Sequence, residues 1–363
     1  MIESDVLLRE RYRIKHLLGQ GGFGRTYLAL DQERFDEPCV VKEFTVSYQD
    51  AMVVEKAKAL FQREASILHQ IQHPQIPRFW AAFEWEERLF LVQDYVPGRT
   101  YRELLKARSA MRRTFSEAEV LHLLRHLLPV LSYLHDRQIV HRDISPDNLV
   151  LQSLGVPGRS IHQGADHQGV NNQGAGHQGA DHQGVGAGGS NDYCLGLPVL
   201  LDFGAVKEAT GGLTSLSTMT RVGKVGYAPP EQLQTGTVQP HSDLYALAAS
   251  CLVLLTGREP QQLLDGLTLD WCWQPYARIS DRLALVLERM LALHPGDRYP
   301  SAQAVLDDLE GLEPGESLAR SQVSNWIAGR VHNAAVAETQ MPRDALPTPS
   351  VATQPSRISS GSR

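Results

Sequence analysis

His141-Arg142-Asp143-Ile144-Ser145-Pro146-Asp147-Asn148, running straight into Leu149-Val150-Leu151, is the stretch on which the reading of this 363-residue chain turns. Before it lies a long helix, leucine-rich through Leu134, whose start is marked by Ser116 with Glu119 three residues later, the pattern of a capping box. So much leucine means that protein surrounds the helix nearly all round. After the stretch comes a short strand, Leu149 to Leu151, then a low-complexity segment, and then Val199-Leu200-Leu201 leading into Asp202-Phe203-Gly204. Further on stand Gly226-Tyr227-Ala228-Pro229-Pro230-Glu231 and an apolar helix that starts at Ser242-Asp243.

Toward the N-terminus the texture changes from helical to β-rich. Arg11 to Leu30 read as a strand, a glycine turn and a second strand (Arg25 to Leu30); Cys39 to Phe44 is a third, and Arg78 to Glu84 and Leu89 to Tyr95 are two more around a turn at Trp85 to Arg88. The glycine turn is GQGGFG, with Gly19, Gly21 and Gly24. Alone that pattern is weak, but here it is followed by the strand-like Arg25-Thr26-Tyr27-Leu28 rather than by a helix, which sets aside a dinucleotide-binding turn. A hairpin of glycines is a lid whose backbone N–H groups can approach phosphates. Lys42 ends the apolar run Cys39-Val40-Val41, and lysine is almost never buried without a partner. On the following helix, Ala57, Leu60, Phe61, Leu68 and Ile71 mark one apolar face whose single charge is Glu64, the natural partner for Lys42. Taken alone, the pair leaves open that Glu64 edges the face and points to water.

In order and spacing this series resembles the eukaryotic-like serine/threonine protein kinases over residues 10 to 310, and the phrases GQGGFGRTYLA, CVVKEF and GYAPPEQ look most like bacterial, cyanobacterial members. The resemblance implies an α+β bilobal fold, with a small five-stranded antiparallel β lobe carrying one helix and a larger, mainly helical lobe. It implies ATP with Mg²⁺, or Mn²⁺ in its place, and transfer of the γ-phosphate to Ser/Thr hydroxyls of proteins. By the resemblance Leu18, Gly19, Gln20, Gly21, Gly22, Phe23, Gly24, Arg25 and Thr26 cover the triphosphate, and Lys42, held by Glu64, contacts its α- and β-phosphates. Val40 and Thr26 lie around adenine, Gln93 takes the gatekeeper position, and the backbone from Asp94 to Val96 faces the base. Asp202 and Asn148 are the Mg²⁺ donors, and Asp143 orients the substrate hydroxyl and accepts its proton. Glu231 and Arg298 match a buried ion pair, with two surface charges as the alternative. Asp243 matches the acid that props the catalytic loop, and would serve equally as a helix N-cap. Arg142 commonly awaits a phosphate on the segment Thr210 to Thr220, which offers Thr214, Ser215, Ser217, Thr218 and Thr220, so autophosphorylation there is expected.

Besides the insert, four positions depart from the family: Thr26 and Val40 stand where a valine and an alanine are usual around adenine, and both remain compact, while the other two lie near the γ-phosphate. Ser145 stands where a lysine is usual, and Lys224 where a threonine is usual. The mirrored pair suggests that Lys224 reaches back to Ser145 and restores positive charge near the γ-phosphate; the alternative leaves Lys224 in solvent. The second functional reading is a nucleotide-binding pseudokinase or scaffold with little or no transfer, for which Ser145 is the only argument. A small-molecule kinase is disfavoured by the Pro229-Pro230-Glu231 platform.

Composition sets the remaining limits. Charged residues are 21% and hydrophobic ones 42%, ordinary for a folded soluble chain, and the net charge of −6 disfavours a nucleic-acid binder. Cys39, Cys194, Cys251 and Cys272 are too scattered for a disulfide framework, and neither a leader nor an apolar run of spanning length is visible, which points to the cytoplasm with no membrane anchor. The expected organisation is a segment 1–9, a smaller lobe 10–96 and a larger lobe 97–310. A repeat insert at 152–197 interrupts the larger lobe, and a disordered tail spans 311–363. The insert repeats HQGAD, HQGVN, NQGAG, HQGAD and HQGVG, too polar to bury a core. Its His162, His167, His177 and His182 fit an expanded repeat better than a metal site. Asp143 and Asp202 stand 59 positions apart because of it, yet its ends must still be adjacent strands, and closing a longer loop costs little more. Tail and insert are the places left for a regulatory partner.

Overall fold

Alternating burial builds the smaller lobe. A computed structural model of the chain describes residues 1–21, 24–44, 51–153, 196–202, 207–208, 224–266 and 268–310. The first strands are β1 (Leu7–Leu8), β2 (Tyr12–Gly21), β3 (Gly24–Asp31) and β4 (Glu37–Phe44); the helix α1 (Ala51–Gln70) follows, then β5 (Phe79–Trp85) and β6 (Arg88–Asp94). They form one antiparallel sheet in the order β1-β2-β3-β4-β6-β5. Along β3, Tyr27, Ala29 and Asp31 are buried at every second position, the period of a strand with one covered face. Buried Asp31 is compensated by a bidentate pair with Arg11, at 2.8 and 2.7 Å. β6 is buried on both faces from Leu89 to Gln93, because α1 lays Phe61, Ala65 and Leu68 into the lobe's interior, with Ile71 just beyond its end. The sheet thus has six strands where five were expected. The additional strand, β1, pairs Leu7 with Arg13 and Leu8 with Tyr12, and Leu8 and Ile2 are buried. A two-residue strand inside a polar stretch leaves no alternation to read, so its pairing comes from tertiary burial alone.

The larger lobe begins at β7 (Arg99–Thr100) and α2 (Tyr101–Ser109), followed by α3 (Glu117–His135) and the short β8 (Ile139–Val140). Ser116 and Glu119 make the reciprocal capping bonds expected of them, and Val120, Leu123, Leu124, Leu127, Leu128, Val130, Leu131 and Leu134 of α3 are fully enclosed. β9 (Leu149–Ser153) pairs with β10 (Gly196–Leu200), and β11 (Lys207–Glu208) pairs with β8. The register sets Ser153 opposite Gly196, so the ends of the repeat insert are adjacent, as chain continuity required. Then come α4 (Pro230–Thr235), α5 (Pro240–Thr256), α6 (Pro260–Leu263), α7 (Asp281–Met290) and α8 (Ala302–Leu309). Every residue of α5 from Ser242 to Thr256 is buried, and α3, α7 and α8 pack against it. That helix starts two residues earlier than expected: Pro240 occupies the first turn, where its fixed φ suits a helix and its missing N–H costs nothing. No helix among the described residues is long and apolar enough to cross a membrane.

Candidate active site

The loop from His141 to Asn148 lies between β8 and β9 and is held from beneath by the first turn of α5. Asp243, fully buried, accepts the N–H groups of His141 at 2.9 Å and Arg142 at 2.8 Å, while His135 Nε2 at the end of α3 lies 2.9 Å from the same carboxylate. Burial pushes the Asp243 carboxyl up, but the His135 imidazole and these N–H groups outweigh it and hold it below the usual carboxylate range. Asp243 is thus a prop for the loop rather than a cap, since the helix already begins at Pro240. The loop turns through Arg142 at φ +72°, a left-handed conformation that costs a non-glycine residue about 1 kcal/mol or more. Gln232 of α4 fixes the turn by donating to the Arg142 carbonyl at 2.8 Å, and His141 Nε2 lies 3.0 Å from the Leu201 carbonyl.

These constraints aim three side chains at one place. Asn148 Nδ2 donates to the Asp143 carbonyl at 2.8 Å and to Asp143 Oδ2 at 2.9 Å, and among the described residues no donor takes the Asn148 Oδ1 oxygen. Leu201 N–H donates to the Asn148 carbonyl at 2.8 Å, tying the loop to the next residue, Asp202, which is itself left-handed at φ +66°. From the other lobe, Lys42 Nζ reaches Asp202 Oδ1 at 2.7 Å, although 160 positions separate them. Burial raises the Asp143 carboxyl above its ordinary value, and neighbouring Asp202 adds to this, against the pull of His141, Asn148 and Lys224. A half-buried carboxylate beside a second one, with a lysine reaching in from the other lobe, suits proton acceptance from a hydroxyl next to a polyanion.

The protein-kinase-domain family model matches residues 12–309, most of the chain. The chain belongs to the protein kinase family. Its relatives include Serine/threonine-protein kinase B of Synechocystis sp., 35% identical over 88% of this chain and 50% of the relative, and Serine/threonine-protein kinase PknA of Nostoc sp., 34% identical over 84% and 48%. The chain therefore spans about half the length of these curated relatives. Among solved structures the Mycobacterium tuberculosis PknI kinase domain is similar at a TM-score of 0.57, with 23% identity, covering 85% of this chain and 98% of that one. PpkA-294 in its apo form gives 0.60 at 23% identity, over 85% and 99%. At that identity the likeness concerns the kinase fold.

With the kinase frame in place, the expected residues among those described can be located. Gly19 pairs with Thr26 and Gln20 with Arg25 across the β2–β3 hairpin, while Gly22 and Phe23 at its tip lie outside the described residues. Gly24 is required where it stands: at φ +148°, a Cβ would fall 1.8 Å from the Glu43 carbonyl oxygen. Around Gly19 there is open space, as a cover over a ligand needs. Leu18 is exposed beside it. Arg25 turns away from a phosphate-facing role toward buried Glu43, at 3.5 Å, because that carboxylate gathers Tyr27 Oη at 2.9 Å and Arg88 at 3.3 Å as well. Val40 and Gln93 are buried and face each other across β4 and β6. Asp94 is drawn aside by Arg78 at 2.9 Å and Trp80 at 2.7 Å, and its N–H donates to the Arg78 carbonyl at 3.0 Å, so neither its side chain nor its N–H is turned toward a base. The Glu231–Arg298 pair forms as a fork at 2.7 and 3.0 Å, with Arg298 buried.

Two expected contacts differ. Lys42 is within ion-pair distance of Asp202 and, among the described residues, not of Glu64. Burial pushes the Glu64 carboxyl up to about 7, Lys42 pulls it down only in part from beyond ion-pair distance, and Asp202 adds to the rise. Lys224 does reach the catalytic loop, but its ammonium bonds Asp147, two positions beyond Ser145, whose side chain is buried. A carboxylate is the stronger acceptor for an ammonium, and Asp147 is the one that faces outward. Sequence reasoning overlooked His135 and Arg102. The only trace of His135 is its place in the last turn of α3, and Arg102 leaves none. The segment Thr210 to Thr220 lies outside the described residues, as do most of the insert and the tail.

Proposed function

We propose that the chain is a serine/threonine protein kinase that uses ATP with Mg²⁺ and transfers the γ-phosphate to protein hydroxyls, its own activation segment among them. The observation that carries this reading is the convergence of Lys42 and Asp202 from opposite lobes beside the Asn148–Asp143 pair. The donor set fits Mg²⁺: Asp202 offers carboxylate oxygens and Asn148 a spare amide oxygen, the hard ligands this ion takes alongside water and phosphate. Bound Mg²⁺ would neutralise charge on the phosphate oxygens. Asp143 orients the incoming hydroxyl and takes its proton, and Asn148 fixes the carboxylate by donating to it. Lys42 supplies the cation for the phosphates nearer the sugar, and the glycine hairpin covers them with backbone N–H groups.

Arg142 supports phosphorylation as the switch. Its Nε has no hydrogen-bond partner among the described residues, and burial lowers this guanidinium to about 10, so an added phosphate would meet an underused cation. Action in the cytoplasm fits the free thiols of Cys39, Cys251 and Cys272. Incubation with labelled ATP, Mg²⁺ and a generic protein substrate tests the proposal. Transfer by the wild type, reduced at least about a hundredfold in Asp143→Asn, is the expected result. Equal incorporation by both would refute it.

A further inference from the structure

Arg102, the second residue of α2, is a buried cation that ties four segments together. Its N–H donates to the Pro146 carbonyl at 2.9 Å. Its guanidinium donates to Asp147 Oδ2 at 3.2 Å, to both Glu259 oxygens at 2.5 and 3.2 Å, and to the Tyr227 hydroxyl at 2.6 Å. Lys224 completes the group by bonding the same Asp147 oxygen. Two carboxylates and two cations therefore sum to zero charge in one cluster. Asp147 lies four residues beyond Asp143 on one loop, and Lys224 acts electrostatically on Asp143 itself. The carboxylates of Asp147 and Glu259 are 41% and 51% exposed, so they front the surface beside the phosphate acceptor's place.

A polypeptide that delivers a hydroxyl to Asp143 has to pass this surface. Two bare carboxylates there would favour a Lys or Arg next to the acceptor, since complementary charge selects partners. Here the chain's own arginine already occupies them, with a planar fork that matches Glu259 bidentately and a backbone N–H tied to Pro146 of the loop. Lys224, at 42% exposure, is the outermost cation of the group and repels a further one.

We propose that Arg102 is a specificity-determining residue: by satisfying Asp147 and Glu259 from within, it closes the acceptor side of the catalytic loop to basic side chains. Substrates are then hydroxyl-bearing segments without a required Lys or Arg beside the acceptor. The inference rests on the kinase reading of Asp143.

A positional peptide library, phosphorylated by the full chain with Mg²⁺ and ATP, reads this directly. The wild type is expected to show Arg and Ala within about twofold of each other at every position near the acceptor. Arg102→Ala is expected to gain about fivefold preference for Arg at one such position, which adding Asp147→Asn and Glu259→Gln removes again. A merely structural role would lower all peptides alike and leave the profile unchanged. A wild type that selects Arg several-fold, and loses that selection in Asp147→Asn, overturns the proposal. So does a folded, active Arg102→Ala with the wild-type profile. If Arg102→Ala and Arg102→Gln both lose their cooperative melting transition, the wild-type and Glu259→Gln profiles decide: flat in both supports the proposal, and Arg selection in the wild type overturns it. Absence of transfer by the wild type, with Asp143→Asn indistinguishable from it, would instead defeat the kinase reading and this inference with it.

Discussion

Lys42 has one ammonium and two carboxylates to choose from, and its choice of Asp202 leaves Glu64 half-buried with its carboxyl pushed up to about 7. Because the folded-state value, about 7, lies above the ordinary 4.5, the folded chain holds a proton that the unfolded chain releases between those pH values. Stability is therefore lost as pH rises through that window, by an amount of order 1–3 kcal/mol from this group. Denaturant melts of wild type and Glu64→Gln from pH 4.5 to 7.5 check it: the wild type should fall relative to the variant as pH rises, and parallel curves would contradict the assignment. At the opposite extreme, Asp243 is a fully buried carboxylate satisfied by two backbone N–H groups and His135. Asp243→Ala strands those donors and should cost about 3–5 kcal/mol in chemical denaturation, with phosphoryl transfer lost in what remains folded. At this scale the sequence was informative about identity and poor about distance. Asp143, Asn148, Asp202 and Lys42 could be named because their types and order are distinctive. The partner of Lys42 could not, since two carboxylates qualify and only the backbone turn at Asp202 separates them. Lys224 was aimed at the right loop and missed its acceptor by two residues. Arg102 was invisible: its side-chain partners lie 45, 125 and 157 positions away, and in the first turn of a helix it reads as an ordinary surface cation.

Among the elements, the β5–β6 connection turns on Glu86 and Glu87, both left-handed at φ +47° and +60°. A two-residue hairpin turn of that hand prefers Asn-Gly, and two glutamates hold it only because the strands on either side are pinned in the sheet. Glu86→Asn with Glu87→Gly should raise stability by about 1 kcal/mol, visible as a higher melting temperature with activity unchanged. The long helix α3 is the converse case, where local signals and tertiary demand agree. Its capping box at Ser116 and its all-round leucine were both readable, and both appear. Truncating Leu127, which is fully enclosed, should cost about 2–5 kcal/mol in an equilibrium unfolding experiment. β3, β4, β5 and β6 fell within two residues of where the pattern placed them. β1 escaped because two residues carry no period, and the start of α5 because Pro240 was not weighed as a first-turn residue.

For the molecule as a whole, the antiparallel pairing of Ser153 with Gly196 means that the larger lobe needs only the ends of the insert to be adjacent. Replacing residues 154–195 with a short hairpin turn should leave the melting temperature within a few degrees, because loop-closure cost changes by only about 0.6 kcal/mol per doubling of length. Lys42 and Asp202 join the two lobes at one point, and a kinase requires that point to be a nucleotide site. The most direct measurement is calorimetric titration of the full chain with ATP, with and without Mg²⁺, in wild type and Asp202→Ala. Mg²⁺ is expected to tighten ATP binding in the wild type, and Asp202→Ala to abolish the Mg²⁺ dependence. Binding that is absent in the wild type, or equally Mg²⁺-dependent in both proteins, would contradict that expectation.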